Sequence, residues 1–299
     1  MSTPKRALIT GVNGFTGQYV SAAMVANGYE VYGFGNRPST LANYSQLDLS
    51  DVSGLRALVA RVRPSVVVHL AGLAFVVNRN AAAFYEINTV GTRNLLEALA
   101  QEADSLDCVL LASSANVYGN ASEGTRHESD WPNPANDYAV SKLAMEHMAR
   151  LWSDKLPIVI TRPFNYTGIG QGIEFLLPKI VRHFRNREAV IELGNLDVHR
   201  DFSDVRAVAS AYSRLLAACP SGQTVNVCSG RTYSLRQILE IAGKIAGYEI
   251  EVRTNPAYVR ANEVRSLMGS ADRLREIIGE WESPDIRTTL EWMLHSTPS

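Results

Sequence analysis

The sequence predicts an α/β fold built on a doubly wound parallel sheet, with a smaller C-terminal portion interleaved with it. Short apolar runs alternate with amphipathic stretches five times in the first 162 residues, which is typical of strands and helices in an α/β domain. The apolar runs are unbroken rather than alternating, so both faces of the sheet are expected to be covered. After Pro163 this regular rhythm ends.

The elements follow the chain in a simple order. Predicted strands occupy residues 6–10, 30–34, 65–70, 108–112, 156–161 and 224–228. Predicted helices occupy residues 15–27, 81–103, 138–152, 175–186, 206–218 and 235–246, with Gly28 as a C-terminal stop and Ser234 as an N-cap. We predict a cofactor-binding sheet domain at 1–162, which also receives segments within about 201–246. Residues 163–299 would mainly bind substrate, with the site at the carboxyl ends of the strands.

Composition excludes several classes of protein. With 46% apolar and 20% charged residues, a chain of 299 residues buries a large core unaided, which excludes disordered, collagen-like and disulfide-scaffold proteins. The net charge of −1 leaves no basic surplus for nucleic acid. A local basic cluster is interpreted as a solvated helix face, with a phosphate contact as the alternative; it comprises Arg182, His183, Arg185 and Arg187.

Cysteine number and apolar run length bear on the compartment. Cys108, Cys219 and Cys228 are an odd number without Cys-x-x-Cys spacing, so neither a disulfide framework nor a metal site is expected. The longest apolar run, residues 65–77, is shorter than the ~18 residues of a membrane helix. The N-terminal residues do not read as a secretion signal. We therefore expect a cytoplasmic protein without a membrane partner.

A glycine pattern follows the first strand directly and opens the first helix. Such a turn brings the backbone close to a pyrophosphate, and the N–H groups of the helix start face its charge. The spacing between glycines is three residues each time, unlike the commoner fingerprint. The predicted dinucleotide contacts are Gly11, Asn13, Gly14, Phe15, Thr16 and Gly17.

The next two strand ends bear on which cofactor binds. After the second strand, Asn36 and Arg37 stand where an acidic residue would select NAD, so NADP(H) is preferred and NAD(H) remains open. Arg37 also fits an ordinary loop arginine. Asp48, followed by Leu49, is a candidate adenine contact or a turn residue. Small residues close the third strand and suit close passage of a cofactor, namely Leu70, Ala71 and Gly72.

A tyrosine and a lysine four residues apart form the candidate catalytic pair. On a helix, Tyr138 and Lys142 point the same way, and a cation beside a phenol lowers the phenol pKa from about 10. Such a tyrosine transfers protons near neutral pH. By itself the pair also fits a helix surface. Ser113 and Ser114, at the end of the preceding strand, would hydrogen-bond a substrate oxygen beside the tyrosine.

Together these motifs resemble the short-chain dehydrogenase/reductase superfamily, in its extended branch of nucleotide-sugar enzymes with a Rossmann-type domain. The resemblance spans nearly the whole chain and includes Asn88 in Asn-Thr-Val-Gly-Thr. It implies hydride transfer between nicotinamide and a sugar carbon. In it Tyr138 exchanges the proton, Lys142 holds the nicotinamide ribose and Ser114 orients the reacting oxygen. Ser113 and Asn116 are neighbouring candidates for substrate binding.

The resemblance also narrows the reaction. Dehydratases of this branch place an acidic base directly after the catalytic serine or threonine, whereas this chain has Ala115 and Asn116. A 4,6-dehydratase is therefore not expected. The C-terminal motifs resemble the GDP-4-keto-6-deoxy-D-mannose reductases, which implies sugar or diphosphate contacts by Asn165 and Arg200. Alternatively, Asn165 is a turn residue and Arg200 forms a plain ion pair with Asp201.

Arg260 and Glu263 are candidates for binding the far end of the substrate nucleotide. Alternatively, Arg260 is a solvent-exposed arginine on a helix. Tyr166 and Ile169 replace a histidine and a proline of the usual pattern, which leaves the sugar open. The leading hypothesis is reduction of a nucleotide-linked 4-keto-6-deoxy sugar, best matched by GDP-4-keto-6-deoxy-D-mannose to GDP-D-rhamnose, a step of deoxysugar biosynthesis. A 4-epimerase with tightly bound NAD is the alternative, and a non-catalytic cofactor sensor is a weaker one. The resemblance also implies a homodimer that pairs the helices at about 81–103 and 138–152.

Overall fold

The computed structural model describes residues 5–74, 80–103, 105–119, 124–258 and 265–296, and it confirms the α/β class. The strands, numbered in chain order, are β1 (Arg6–Thr10), β2 (Glu30–Gly35), β3 (Tyr44–Gln46), β4 (Val66–His69), β5 (Cys108–Ala112), β6 (Thr125–Arg126), β7 (Ile158–Pro163), β8 (Asn165–Thr167), β9 (Val190–Leu193), β10 (His199–Asp204), β11 (Thr224–Val227), β12 (Thr232–Ser234), β13 (Glu251–Thr254) and β14 (Ser266–Gly269).

The helices are α1 (Phe15–Ala26), α2 (Val52–Val62), α3 (Ala81–Tyr85), α4 (Thr92–Glu102), α5 (Asp137–Arg150), α6 (Leu176–Arg185), α7 (Val205–Ala218), α8 (Leu235–Ala246), α9 (Asp272–Ile278) and α10 (Ile286–His295). A π-helix, Glu86–Gly91, joins α3 to α4, and short 3-10 turns cover Ala115–Tyr118 and Pro256–Tyr258. In the described part of the chain, no helix combines the length and the apolar composition needed to cross a membrane.

The large sheet has seven strands in the order β11-β7-β5-β4-β1-β2-β3, and every neighbouring pair is parallel. The strand order reverses direction on either side of β1, as in a doubly wound sheet. β11 comes from the C-terminal half of the chain and completes one edge. The division into domains, with a boundary at 162 and returning segments within about 201–246, stays a prediction.

Alternate strand residues feed two separate cores, one on each face of the large sheet. Ile9 and Val68 pack with α1 and α7 on one face, while Leu8 and Val67 pack with α2, α4 and α5 on the other. Each of these four side chains is fully buried. This double coverage explains why the strands read as unbroken apolar runs.

The C-terminal portion adds a second, smaller sheet and a third core. Its sheet runs β12-β10-β14-β6, with β8 paired to β10, and β13 pairs with β9 separately. The third core joins α6, α8 and α10 through Ile180, Leu239 and Leu290. The α8 helix begins at Ser234 with a complete capping box to Gln237, which confirms the predicted N-cap.

Two differences from the predicted elements matter for the site. The helix expected at 81–103 is interrupted by the π-helix Glu86–Gly91. A π-helix adds a residue to a turn and often occurs at functional sites. In addition, the short strand β3 (Tyr44–Gln46) extends the sheet beyond β2, where no strand was expected. Gly28 ends α1 with a φ of +81°, as predicted.

Candidate active site

The predicted site residues cluster where three central strands end. β1, β4 and β5 are parallel neighbours, with Thr10 opposite His69 and His69 opposite Leu111. Their carboxyl ends therefore meet at one edge, and the segments that follow them carry the glycine loop, Gly72 and Ser114. This is the edge at which open α/β sheets bind their ligands.

The glycine loop has the backbone geometry that its sequence predicts. Gly11 has a φ of +66°, and an added Cβ would lie 3.0 Å from the Ala71 nitrogen. A Cβ on Gly17 would lie 2.3 Å from the Gly11 carbonyl oxygen and 2.6 Å from that of Val12, closer than any stable contact. Gly11 thus permits the turn, and Gly17 lets the first turn of α1 pack against the loop.

The start of α1 suits a bound anion. Gly14 is the N-cap with extended backbone, and no side chain of the described residues caps this helix end. The first turn of α1 also contains no acidic residue. Uncapped N–H groups and the helix dipole both favour a negative group at this position. The residues therefore fit the pyrophosphate of a dinucleotide.

The predicted adenosine end is more exposed. Asn13 and Arg37 are exposed, and Asn13 Oδ1 accepts a hydrogen bond of 2.8 Å from the Ser39 hydroxyl. Asp48 accepts hydrogen bonds from the Ser50 N–H and hydroxyl, which hold its pKa below the usual range, and Asn36 adds a further hydrogen bond. Asp48 thus takes part in a turn on an exposed surface, and its contact with adenine stays a prediction.

Leu49 is a core residue, unlike its neighbour Asp48. Its side chain is 8% exposed and lies beside Gly91, where an added Cβ would come within 2.9 Å of the leucine Cβ. The Leu49 carbonyl accepts a hydrogen bond of 2.9 Å from the Asn94 amide. Leu49 therefore anchors the loop that carries Asp48 to α4.

The glycine loop forms one wall of the site. A second wall is formed by Gly72, Asn88 and Lys142. A Cβ on Gly72 would lie 2.9 Å from Asn88 Oδ1 and 3.3 Å from Lys142 Nζ. Asn88 Oδ1 accepts from the Leu73 N–H at 2.9 Å, and its amide donates to the Ser141 hydroxyl at 3.1 Å. The asparagine thereby ties the loop after β4 to α5, one residue before the lysine.

Tyr138 and Ser114 are joined across the sheet edge. A hydrogen bond with Ser114 lowers the pKa of Tyr138, but burial raises it more, to about 12. Phe84 of α3 packs edge-on against the tyrosine ring, with 5.8 Å between ring centroids. Ser114 itself is 5% exposed and also accepts hydrogen bonds from the Asn116 backbone and amide. The structure thus brings the predicted proton donor and its serine together.

Lys142 lies one turn along α5 from Tyr138. Its ammonium donates a hydrogen bond of 2.9 Å to the Ala112 carbonyl at the end of β5, and burial lowers its pKa to about 8. The buried Glu146 on the next turn of the helix opposes this lowering. The expectation that the lysine lowers the pKa of Tyr138 is wrong, because desolvation of the phenol dominates.

The two adjacent serines face different partners. The Ser113 hydroxyl donates to Glu146 Oε1 at 2.6 Å, and the same carboxylate forms a two-bond ion pair with Arg162. Both Glu146 and Arg162 are buried. Ser113 thus ties the end of β5 to the buried Glu146, while Ser114 faces Tyr138. Glu146 was not singled out from the sequence, although its position four residues after Lys142 places it on the same face of α5.

The predicted substrate contacts lie on the C-terminal side of the edge. Asn165 is exposed and donates to the Asp201 carbonyl at 3.2 Å. Arg200 is half-buried and donates to the His199 carbonyl at 2.9 Å. The Asp201 carboxylate accepts hydrogen bonds from the backbone N–H groups of the loop after β11, at Ser229 and Gly230.

Not every predicted substrate contact can be placed. Arg260 and Glu263 lie outside the described residues. Asn116 is exposed and directs its amide to Ser114, at 3.1 Å.

Tyr166 joins the substrate side to the glycine loop, a contact that the sequence did not predict. Its hydroxyl and the Thr16 hydroxyl are 2.8 Å apart, and its ring stacks on Phe15 with 6.1 Å between centroids. Tyr19, one turn along α1, donates to the Ile169 carbonyl at 2.8 Å. Tyr166 and Ile169 are the two positions where the sequence departs from the usual pattern, and both contact α1.

Comparison with known proteins places this arrangement among nucleotide-sugar enzymes. A family model described as GDP-mannose 4,6 dehydratase matches residues 8–293. GDP-6-deoxy-D-mannose reductase of Pseudomonas aeruginosa is 36% identical over 294 residues, covering 94% of this chain and 93% of the relative. GDP-6-deoxy-D-talose 4-dehydrogenase of Aggregatibacter actinomycetemcomitans is 33% identical over 290 residues, covering 96% of each chain.

Solved structures agree in fold over nearly the whole chain. A Burkholderia cenocepacia J2315 structure, provisionally described as an epimerase, is 49% identical with a TM-score of 0.92 and covers 97% of both chains. A structure of RMD from Pseudomonas aeruginosa, complexed with NADPH, is 33% identical with a TM-score of 0.85. It covers 97% of this chain and 98% of its own.

Proposed function

Because the chain belongs to the GDP-mannose 4,6-dehydratase family, we propose that it is the reductase type of that family, an NAD(P)H-dependent oxidoreductase. It reduces the 4-keto group of a nucleotide-activated 4-keto-6-deoxy sugar. The best match to the substrate is GDP-4-keto-6-deoxy-D-mannose, and the product is the corresponding 4-hydroxy sugar.

One observation carries the proposal: Tyr138, joined to Ser114, retains its proton at neutral pH, and the residues after Ser114 are not acidic. With a pKa of about 12, the phenol is a donor of protons. Ala115 is buried and Asn116 holds Ser114, so neither supplies the carboxylate base that elimination needs. The site is thus equipped for addition of hydride and a proton, and it lacks the base of a dehydratase.

A bound nicotinamide supplies the hydride that adds to the sugar carbonyl carbon. Tyr138 donates its proton to the carbonyl oxygen as the C=O double bond becomes a C–O single bond, so the product is an alcohol. Ser114 orients that oxygen by a hydrogen bond. Lys142, held by the Ala112 carbonyl, binds the ribose of the cofactor and keeps it beside the tyrosine. Solvent restores the proton of Tyr138.

The cofactor is NADPH in preference to NADH. Asn36 and Arg37 follow β2 at an exposed surface, and an arginine there pairs with a 2′-phosphate. The NADPH complex of the 33% identical structure supports this choice. The preference is measured directly by comparing kcat/KM for the two cofactors, and Arg37→Ala is expected to lower only the value for NADPH.

The nucleotide is proposed to be guanosine diphosphate, since both curated relatives act on GDP sugars by name. Their sugars, 6-deoxy-D-mannose and 6-deoxy-D-talose, differ only in configuration at C4. Both products therefore derive from the same 4-keto sugar, by addition of hydride to opposite faces. We assign GDP-D-rhamnose as the product, with Asn165 and Arg200 at the diphosphate side.

The test is direct. Purified protein is incubated with NADPH and GDP-4-keto-6-deoxy-D-mannose, loss of absorbance at 340 nm is followed, and the product configuration at C4 is read by NMR. Formation of the talo product would correct the stereochemistry alone. Failure to oxidise either NADPH or NADH with any GDP- or dTDP-linked 4-keto-6-deoxy sugar would refute the proposal.

A 4-epimerase is the second candidate, because the 49% identical structure is provisionally described as an epimerase. An epimerase oxidises and re-reduces one carbon with a cofactor that stays bound. Release of NAD on denaturation of the purified protein, together with turnover of a GDP-hexose without added cofactor, would favour it over the reductase.

The same proposal includes a cytoplasmic homodimer that pairs the helices at about 81–103 and 138–152. Val90 in the π-helix and Val140 in α5 are 51% and 37% exposed, and apolar exposure on two neighbouring helices favours pairing with a second copy. Light scattering of the wild type against Val90→Glu tests the pairing, and a monomeric wild type would refute it.

A further inference from the structure

A buried histidine lies between the two walls of the candidate cofactor site. His69 is the last residue of β4 and is 3% exposed. Thr10 Oγ1 lies 2.8 Å from its Nδ1, and Thr92 Oγ1 lies 2.8 Å from its Nε2. None of these three side chains takes part in the chemistry proposed above.

The direction of each hydrogen bond follows from counting donors. Thr10 Oγ1 accepts from the N–H groups of Leu70 and Ala71, at 3.0 Å and 2.8 Å. With both lone pairs in use, its one proton points to His69 Nδ1, which must therefore be an acceptor. The ring then carries its proton on Nε2 and donates it to Thr92. The Thr92 hydroxyl in turn donates to the Asn88 carbonyl at 2.7 Å.

The ring is neutral in this environment. Burial and, to a smaller extent, the nearby positive charge of Lys142 together lower the pKa of His69 to about 3. The two side chains that contact its nitrogens are threonines, which carry no charge to offset protonation. A second proton on Nδ1 would also meet an oxygen that already accepts two N–H groups.

The two ends of this chain of hydrogen bonds lie on opposite walls of the site. Thr10 immediately precedes Gly11, whose Cβ position is 3.0 Å from the Ala71 nitrogen. Asn88 holds the loop after β4 and lies beside Lys142 near Gly72. The Thr92-to-Asn88 bond lies where the π-helix passes into α4, and a threonine bond of this i−4 type bends a helix locally.

We infer that His69 is a positioning residue: as a neutral Nε2–H tautomer it fixes the distance between the glycine loop and the Asn88–Lys142 wall, and so aligns the cofactor. The inference rests on the proposed function only in that a dinucleotide occupies this site. His69 itself neither touches substrate nor moves a proton in the reaction.

The tautomer is tested in the wild-type protein by NMR of ¹⁵N-histidine-labelled enzyme. We expect one histidine with an unprotonated Nδ1 and a protonated Nε2, unchanged between pH 5 and 8. Loss of that signal in His69→Gln assigns it. A titrating His69, or one with the proton on Nδ1, would overturn the inference.

The positioning role is tested at Thr92. Thr92→Val keeps the shape but removes the acceptor for Nε2–H, and we expect NADPH affinity by calorimetry to fall about tenfold, with the KM for the sugar unchanged. Thr92→Ser restores the hydroxyl and should restore affinity. Thr289→Val is the control: it removes a buried hydroxyl that binds Asp204 and lies outside the hydrogen-bond network of His69, and it should leave NADPH affinity unchanged.

These measurements separate the inference from the proposed function. Since NADPH binding is measured without sugar, an enzyme inactive on every keto sugar would still report on His69. Wild-type NADPH affinity in a folded Thr92→Val protein, or failure of Thr92→Ser to rescue a weakened one, would refute the positioning role even if turnover were normal.

Discussion

Gly17→Ala is the sharpest test of the glycine loop, because its effect follows from two short distances in the structure. The added Cβ would lie 2.3 Å from the Gly11 carbonyl oxygen and 2.6 Å from that of Val12. Ordinary contact begins at 3.4 Å, so the loop and the start of α1 must separate by 3.4 − 2.3 = 1.1 Å. Both obstructing atoms are backbone atoms, so side-chain rotation offers no relief.

A shift of this size moves the N–H groups that face the pyrophosphate. Misplacement by about 1 Å costs as much as a hundredfold where geometry is critical. We therefore expect NADPH to bind Gly17→Ala at least tenfold more weakly, which corresponds to about 1.4 kcal/mol. Calorimetric titration with NADPH measures this, and GDP binding by the same variant shows whether the sugar-nucleotide side is intact.

Gly28→Ala is the matched control at the other end of α1. Its Cβ would meet nothing within 4 Å, but its φ of +81° makes alanine unfavourable by about 1 kcal/mol. Gly28→Ala should thus lose thermal stability while keeping NADPH affinity within twofold. Wild-type affinity in Gly17→Ala, or equal weakening in both variants, would contradict the steric reasoning.

Three further predictions concern the reacting groups. Tyr138→Phe should lower kcat by about 10²–10⁴-fold, because the general acid is lost, and should keep NADPH affinity within twofold, because the packing of the ring is kept. Stopped-flow kinetics measures kcat and calorimetry measures NADPH affinity. A near-normal kcat would rule out the tyrosine as the acid. Because the pKa of Lys142 is lowered to about 8, its ammonium is charged below pH 8, so NADPH affinity should decline above pH 8, and Lys142→Arg should remove that decline; a flat wild-type profile would contradict it. Tyr166→Phe should weaken NADPH binding about fivefold, because it removes the hydrogen bond to Thr16 and one hydrogen bond typically contributes about 1 kcal/mol. Tyr19→Phe breaks only the hydrogen bond to Ile169 and should leave NADPH binding unchanged. Equal effects of the two variants would argue for a general loosening of the structure.

The local sequence was sufficient to predict where the strands end and which functional residues follow them. The glycine turn after β1 and the four-residue spacing of Tyr138 and Lys142 are short-range features, and both occur in the structure where periodicity placed them. The covered parallel sheet was predictable for the same reason, since burial on both faces leaves unbroken apolar runs.

Long-range partners decided what the sequence left open. The resemblance already favoured Ser114 over Ser113 as the serine beside the tyrosine, but the partner of Ser113 was not predictable: its hydroxyl binds Glu146, which pairs with Arg162. The pKa of Tyr138 was predicted in the wrong direction because spacing reports a neighbouring charge and not the burial of the phenol. The interruption of the helix at 86–91 likewise depends on tertiary contacts of Asn88, which no local propensity encodes.

The chain matches a family described by 4,6-dehydration but has Ala115 and Asn116 directly after Ser114, and the proposed reduction accounts for this combination chemically. Dehydration, epimerisation and ketoreduction share one event, the exchange of hydride and a proton at C4 of a nucleotide sugar. A site with the glycine loop, Tyr138, Lys142 and Ser114 is equipped for that shared event. Elimination of water additionally needs a base at the neighbouring carbon, and the segment after Ser114 is the part of the edge that could provide one. Ala115 is buried and the Asn116 amide donates to Ser114, so neither residue supplies that base. This favours the proposed reduction over dehydration. Tyr138, whose pKa burial raises to about 12, is protonated at neutral pH and can therefore give the sugar carbonyl oxygen the proton that reduction requires.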